Sequence, residues 1–374
     1  MNLLVIVQDY PDESDNQRFG YVHTRNKYYV EIGIDVLVLA FDAKKEYVFE
    51  NITITNLRFF KRNYDIGMFD AIVSHAPNLR NHLRFLYFYT KSKKIFFFVH
   101  GHEVLKQSNY YPEPFPFIRS KLFYLARIFR DIYDAIKLAA FKKYFTKNLK
   151  SERVKLIFVS EWMKSEFKSN IKIDDNLLEN NSLIIHNAAA KEFLNQDYNY
   201  AAEEKFKIIT IRQFDNPKYA IDLVLKAANE NPQFEFHVFG KGIFFKYYSI
   251  PDNLKIFNSY FIHQEIPGLL NQYTAAFMPT RLDSQGVMMC EMATFGIPLI
   301  TSDIPICREM LKEFSNVFFI KNDTDHIFFD DILEKINPNS RINKDKFSFE
   351  NTILKEVKFF HKVLFNTDSI VNKK

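Results

Sequence analysis

Short, uniformly apolar runs alternate with longer amphipathic stretches along this chain. Leu3-Leu-Val-Ile-Val7 carries no polar position, as expected of a strand covered on both faces. Polar residues and Gly20 follow, and the spacing then predicts a helix from about Tyr21 to Ile32. Gly33 closes it, and Asp35 to Phe41 gives a second strand. Strand–helix–strand in this order predicts a parallel sheet. Further strands are predicted at Ala71 to Ser74, Ile95 to Val99, Leu156 to Val159 and Leu183 to Ile185, with helices between them.

From Asn187 to Lys205 the chain is polar and aperiodic, which predicts a linker over 191–205. A second series then begins. Lys207 to Ile211 is a strand, Tyr219 to Glu230 a helix and Phe234 to Phe239 a strand, with more strands at Leu254 to Phe257, Ala276 to Met278 and Ile297 to Thr301. The expected architecture is α/β, with two Rossmann-like βαβ domains facing a cleft. The first spans 1–190 and the second 206–344, and a last helix within 345–366 packs back on the first. No repeat shorter than a domain is visible. Ligands of such sheets bind beyond the carboxyl ends of the strands, so the cleft is the expected site.

Size and composition agree. A chain of 374 residues, 47% hydrophobic, suits two domains with a sizeable core. The net charge of +5 is modest and the basic residues form no nucleic-acid module, so no nucleic-acid partner is expected. Cys290 and Cys307 have no metal spacing and make no disulfide framework, which fits a reducing compartment. Leu3 to Val7 is too short for the core of a signal peptide, and no run approaches the length of a membrane span. A cytoplasmic protein is expected. The 41 Phe and 20 Tyr fit either a low-GC genome or membrane-facing aromatics.

The segment Arg281-Leu-Asp-Ser-Gln-Gly-Val-Met-Met-Cys-Glu-Met-Ala-Thr-Phe-Gly-Ile-Pro298 holds the most chemistry. A helix is predicted to begin at Gly286 and to stop at Gly296, with Pro298 beyond. Asp283 lies in the loop before it and Glu291 inside it. Free N–H groups at a helix start bind phosphate, and an acid one turn further in can accept sugar hydroxyls. The combination suits a nucleotide-sugar, although ordinary α/β scaffold carries similar helices.

Other candidates sit at strand ends. His100 follows Ile95 to Val99 in Val-His-Gly-His-Glu, with His102 beside it, and His75 follows an earlier strand. Arg212 follows Lys207 to Ile211 and Lys218 comes six residues later; a planar fork and a point charge together could neutralise a diphosphate. Gly240-Lys-Gly242 is a tight turn allowing close backbone approach. It lacks the third glycine and the ribose-binding acid of a dehydrogenase. Asp323-Thr-Asp325 reads as a solvated turn rather than a metal site, and no other spacing suggests a metal. Residues 118–150 predict a helix rich in Arg, Lys, Phe and Tyr. It could rest on an anionic membrane or pack on its own domain.

Taken in order, these segments resemble the GT-B glycosyltransferases, most of all the retaining enzymes of family 4. The similarity spans nearly the whole chain and is strongest from Phe206 to Asp303. The family's acid, seven residues, Glu pattern matches Asp283 to Glu291, with Asp283 where Glu is usual. Its cation pair matches Arg212 and Lys218, flanked here by Ile211 and Tyr219 instead of glycines. Its Gly-x-Gly turn matches Gly240 to Gly242, its strand-end histidine His100, its Asn-Gly turn Asn187-Ala, and its N-terminal glycine loop Phe19-Gly20.

The resemblance implies a donor nucleotide on the second domain, bound by Gly20, Arg212, Lys218, Gly240, Ser284, Gln285, Gly286, Val287 and Glu291. Glu291 would take the ribose, and the two cations and the amides near Gly286 and Val287 the diphosphate. Asp283 and His100 would act on the donor sugar. A front-face reaction with retained configuration follows, needing no metal, no cofactor and no protein nucleophile. The acceptor would be a glycan or lipid-linked glycan of surface-polysaccharide synthesis, handled on the inner face of the cell membrane. A sugar-nucleotide epimerase and a non-catalytic GT-B partner subunit are the alternative readings.

Overall fold

The computed structural model describes residues 1–13, 15, 18–90, 92–199, 206–259, 261–337 and 342–367. It forms two compact units. One comprises Met1–Gln107, Phe129–Ala188 and Phe347–Lys374, the other Ser108–Ile128 and Ala189–Lys346.

The first unit is built on eight strands: β1 (Asn2–Val7), β2 (Asp35–Ala40), β3 (Tyr47–Phe49), β4 (Ile52–Thr55), β5 (Ala71–His75), β6 (Lys94–Val99), β7 (Val154–Phe158) and β8 (Ser182–Ile184). Their order is β3-β4-β2-β1-β5-β6-β7-β8, and every neighbouring pair except β3–β4 is parallel. β1 is central, and Leu3 to Val7 are fully buried, which explains their unbroken apolarity. The β3–β4 hairpin is not predicted by the sequence pattern. Its two-residue turn puts Glu50 at φ 44° and Asn51 at φ 64°, the geometry that matches strand twist. Only Asn51 of the two advertises it.

The helix Ile353–Phe365 belongs to this unit. Ile353, Val357 and Phe360 recur at helical spacing and join the core of β1, β5 and β6, with the Phe360 ring 4.1 Å from Phe96. Burying each such side chain is worth at most about 2–3 kcal/mol. One polar tie fixes the helix azimuth: Glu356 accepts from Arg25 Nε at 3.0 Å, both fully buried. Burial raises the Glu356 carboxyl to about 7 although Arg25 opposes the shift.

The second unit carries β9 (Lys207–Ile211), β10 (Glu235–Phe239), β11 (Leu254–Phe257), β12 (Ala275–Met278), β13 (Leu299–Ser302) and β14 (Val317–Ile320) in a parallel sheet ordered β11-β10-β9-β12-β13-β14. The order reverses between β9 and β12, and such a switch point is where open α/β sheets leave a crevice beyond their carboxyl ends. The stretch whose polarity predicts a linker is structured where it is described. Lys191–Leu194 is a short helix, Phe193 is fully buried 6.2 Å from Phe295, and Tyr198 Oη donates to Tyr273 O at 2.7 Å. Two aromatic anchors outweigh the polar residues around them. Residues 200–205 of that stretch lie outside the described residues.

Candidate donor-binding site

The loops after β9, β10 and β12 converge at the switch point of the second unit. Arg212 leaves β9, its N–H donating to Phe239 O at 2.9 Å and its Nη2 to Met278 O at 3.3 Å. Arg212 is 8% exposed, and its Nε has no hydrogen-bond partner among the described residues. Burial pulls its pKa down, and the nearby Asp283 carboxylate works against that. A buried, under-bonded cation at a strand end is a group kept for an anion the protein itself does not supply.

Lys218 completes the pair. Its Nζ lies 4.6 Å from the Tyr219 ring centroid and Arg212 Cζ lies 5.2 Å from the same ring, so both cations share one aromatic platform. Among the described residues Lys218 makes no ion pair. Its backbone is pinned instead: Arg281 N and Thr280 Oγ1 both donate to Lys218 O, at 2.7 and 3.0 Å. Arg281 in turn grips Asp222 with both guanidinium ends, at 2.7 and 2.6 Å. Tyr219 therefore supports the pair from a position where the family has glycine.

Gly240 is required by this arrangement. A Cβ there would stand 1.7 Å from Arg212 O, so the close approach that the Gly-x-Gly turn predicts is to the protein's own β9 loop. At Gly20, by contrast, a Cβ would meet nothing within 4 Å.

The helix Val287–Phe295 starts after Gly286, which takes φ 74°. Asp283 organises the loop before it. Its Oδ1 accepts from Ser284 N at 2.8 Å, Gly286 N at 2.9 Å and Gln285 N at 3.4 Å. Those three amides are turned onto Asp283 and are not the open donors that the sequence suggests. The amides of Val287, Met288 and Met289 follow, without an acceptor among the described residues.

Glu291 is 1% exposed one turn into this helix. Oε1 accepts from Ala190 N at 3.0 Å, and Oε2 lies 3.3 Å from His263 Nε2. Each carboxylate oxygen has a second lone pair for a hydroxyl donor. Neither Ala190 nor His263, nor Thr280, Arg281 and Asp222, is singled out by the sequence. Their partners lie 28 to 101 residues away, and only Arg281, inside the acidic segment, gave any signal.

In the first unit the candidate is a histidine pair, His75 as the last residue of β5 and His100 just after β6. His75, fully buried, has Nδ1 3.1 Å from His100 Nε2, and the Tyr21 ring stands 4.5 Å from the His100 ring. Burial, with Arg25 adding repulsion, holds both imidazoles well below their usual pKa. They are neutral at pH 7, and His100 can donate or accept a hydrogen bond but carries no charge. Its backbone N–H donates to the buried Glu103 carboxylate. His75 thus fixes the His100 ring, whereas His102 is 60% exposed beside Glu103. Asp323 and Asp325 form no metal cluster among the described residues.

Residues 194–344 match the family model of the glycosyl transferases group 1. Across the whole chain the structure is similar to a sucrose-phosphate synthase from Thermosynechococcus elongatus, with a TM-score of 0.71 and 11% identity, covering 98% of this chain and 100% of that one. It is also similar to HepE of Anabaena in complex with UDP-glucose, with a TM-score of 0.64 and 12% identity, covering 98% and 100%. An uncharacterized 41.2 kDa protein in the cps region of Klebsiella pneumoniae is 19% identical over 203 residues, which span 52% of this chain and 55% of that protein. The chain thus matches about half the length of that curated relative. The fold is thus that of the GT-B structures, and its second unit carries the match to the glycosyl transferases group 1.

Proposed function

We propose that this protein is a retaining glycosyltransferase. It moves a hexose-type sugar from a nucleotide-diphosphate-sugar to a glycan or lipid-linked glycan acceptor in surface-polysaccharide synthesis. The observation that carries the reading is the cation pair at the switch point: Arg212, buried and under-bonded, and Lys218, unpaired among the described residues, flank Tyr219. Asp283, whose carboxylate acts on Arg212, leads into the helix whose first amides, Val287 to Met289, have no acceptor among the described residues. The relative from a cps region supports the pathway, and the UDP-glucose in HepE supports the donor class.

Negative charge grows on the diphosphate as the sugar–oxygen bond breaks. Fixed cations and amides aimed there act most strongly on that transition state. They supply the positive charge a divalent ion would bring, so transfer is metal-independent. Glu291, fixed by Ala190 and His263, accepts the ribose hydroxyls. Asp283, with Oδ1 committed to its own loop, offers Oδ2 to the donor sugar. Neutral His100 gives a hydrogen bond to that sugar. Gly20 opens the first unit's N-terminal loop to the donor. The reaction takes place on the cytoplasmic face of a membrane, with residues 118–150 as the contact.

Lys218→Ala and Glu291→Ala test the site. Each is expected to cut transfer from a panel of activated sugars by at least 100-fold with unfolding unchanged, and chelator is expected to leave the wild-type rate intact. Normal turnover in either variant, or loss of activity on chelation, overturns the proposal.

A further inference from the structure

The helix Phe123–Lys150 turns its apolar side to solvent. Leu125, Ile128, Phe129, Ile132, Tyr133 and Ile136 are each 48 to 64% exposed. At helical spacing they fall in one stripe about 140° wide. About three adjoining turns of a helix do not ordinarily leave six large apolar side chains uncovered.

Only some of the charges expected to make this a basic surface are taken up by the protein itself. Lys137 is buried; its Nζ pairs with Asp134 at 2.7 Å and donates to the carbonyls of His102 and Leu105. Arg119 and Arg127 are both bound to Glu113. What remains outside is ordered along the helix. The apolar stripe occupies its first half, and the same azimuth then carries Lys143, Lys147 and Lys150, all exposed. The two acids of the helix lie off the stripe: Asp134 is buried and Asp131 half-buried on the far side.

We infer that this stripe is a membrane-insertion face, seating its apolar half among acyl chains while the three lysines meet anionic headgroups. An acid-free stripe ending in lysines is complementary to lipid phosphates. A second copy of the chain would bring only the same lysines and nothing to neutralise them. Tyr133 at the stripe's edge has the amphipathic ring that suits the boundary layer. The inference deepens the proposed lipid-linked acceptor class and rests on that reading.

The test uses the full-length protein and sedimentation with vesicles of phosphatidylcholine, with or without phosphatidylglycerol. Wild type is expected to pellet with the anionic vesicles and only weakly with the neutral ones. The double variant Phe129→Glu, Ile132→Glu is expected to lose at least 10-fold in partitioning. Lys143→Glu with Lys147→Glu is expected to lose the preference for anionic lipid. In all of them the thermal shift given by nucleotide-sugars is expected to stay as in wild type. Absence of that shift in wild type would sink the transferase reading alone, since the vesicle arm contains no sugar. The membrane assignment is overturned if wild type ignores anionic vesicles, or if Phe129→Glu, Ile132→Glu binds them equally. It is also overturned if the stripe instead mediates a concentration-dependent dimer that this double variant breaks.

Discussion

Replacing Arg212 with Met separates a functional from a structural role, because the first predicts little change in stability and the second a large loss. The side chain is 8% exposed, makes one protein hydrogen bond at 3.3 Å, and leaves Nε unpartnered. Methionine fills a similar volume. The fold loses one long hydrogen bond, worth about 1 kcal/mol, and a cation–π contact worth about 0.5–1 kcal/mol. It escapes the cost of holding a poorly paired charge out of water, which is of the same order or larger. The net change in unfolding free energy is expected within about 1 kcal/mol of zero, a shift of roughly 2–4 °C in Tm. Transfer should fare differently. Removing one fixed donor from a developing anion costs about 3–4 kcal/mol, or roughly 100- to 1,000-fold in rate. Thermal denaturation and initial-rate kinetics on the same preparation read both quantities. A variant that transfers sugar within about threefold of wild type would refute the assignment. So would one destabilised by more than about 3 kcal/mol, since Arg212 would then be holding the fold rather than waiting for an anion.

Three further outcomes are expected. Gly240→Ala should cost about 2–4 kcal/mol of stability, because its Cβ would meet Arg212 O at 1.7 Å, whereas Gly20→Ala, with nothing within 4 Å, should cost none; chemical denaturation giving equal midpoints would contradict this. His263→Ala removes the contact to Glu291 Oε2 and leaves that from Ala190, so KM for the nucleotide-sugar should rise several-fold with kcat nearly kept; an unchanged KM would show that His263 does not position the acid.

The third outcome concerns pH. Burial lowers the His82 pKa to about 3. Between there and about 6.5 the unfolded chain binds the proton and the folded chain does not. The stability His82 contributes is therefore complete above pH 6.5 and falls as pH drops, by about 1.4 kcal/mol per unit. His82→Phe should flatten the acid limb of a Tm–pH curve, and parallel curves for the two proteins would refute it.

Most of the fold was legible in the chain. Uniform apolar runs such as Leu3 to Val7 and Ile95 to Val99 read as strands covered on both faces, and their alternation with helices leaves a parallel sheet as the economical solution. The β3–β4 hairpin was not legible, because three-residue strands give too little periodicity. The site was half legible. Residue type and strand-end position marked Arg212, Lys218, Glu291 and His100. Nothing local shows that Asp283 consumes the amides of its own loop, or that Arg281 reaches back to Asp222.

By itself, then, the sequence determined the order of elements, two sheets, and the residues whose chemistry suits an activated sugar, since burial pattern and residue type are local properties of the chain. Only the tertiary structure decided which polar atoms find partners. It left Arg212 under-bonded, closed Glu291 between Ala190 and His263, and turned the apolar side of the 123–150 helix outward with Lys137 inward. Those outcomes depend on contacts between residues far apart in the chain, and no window of sequence contains both ends of such a contact.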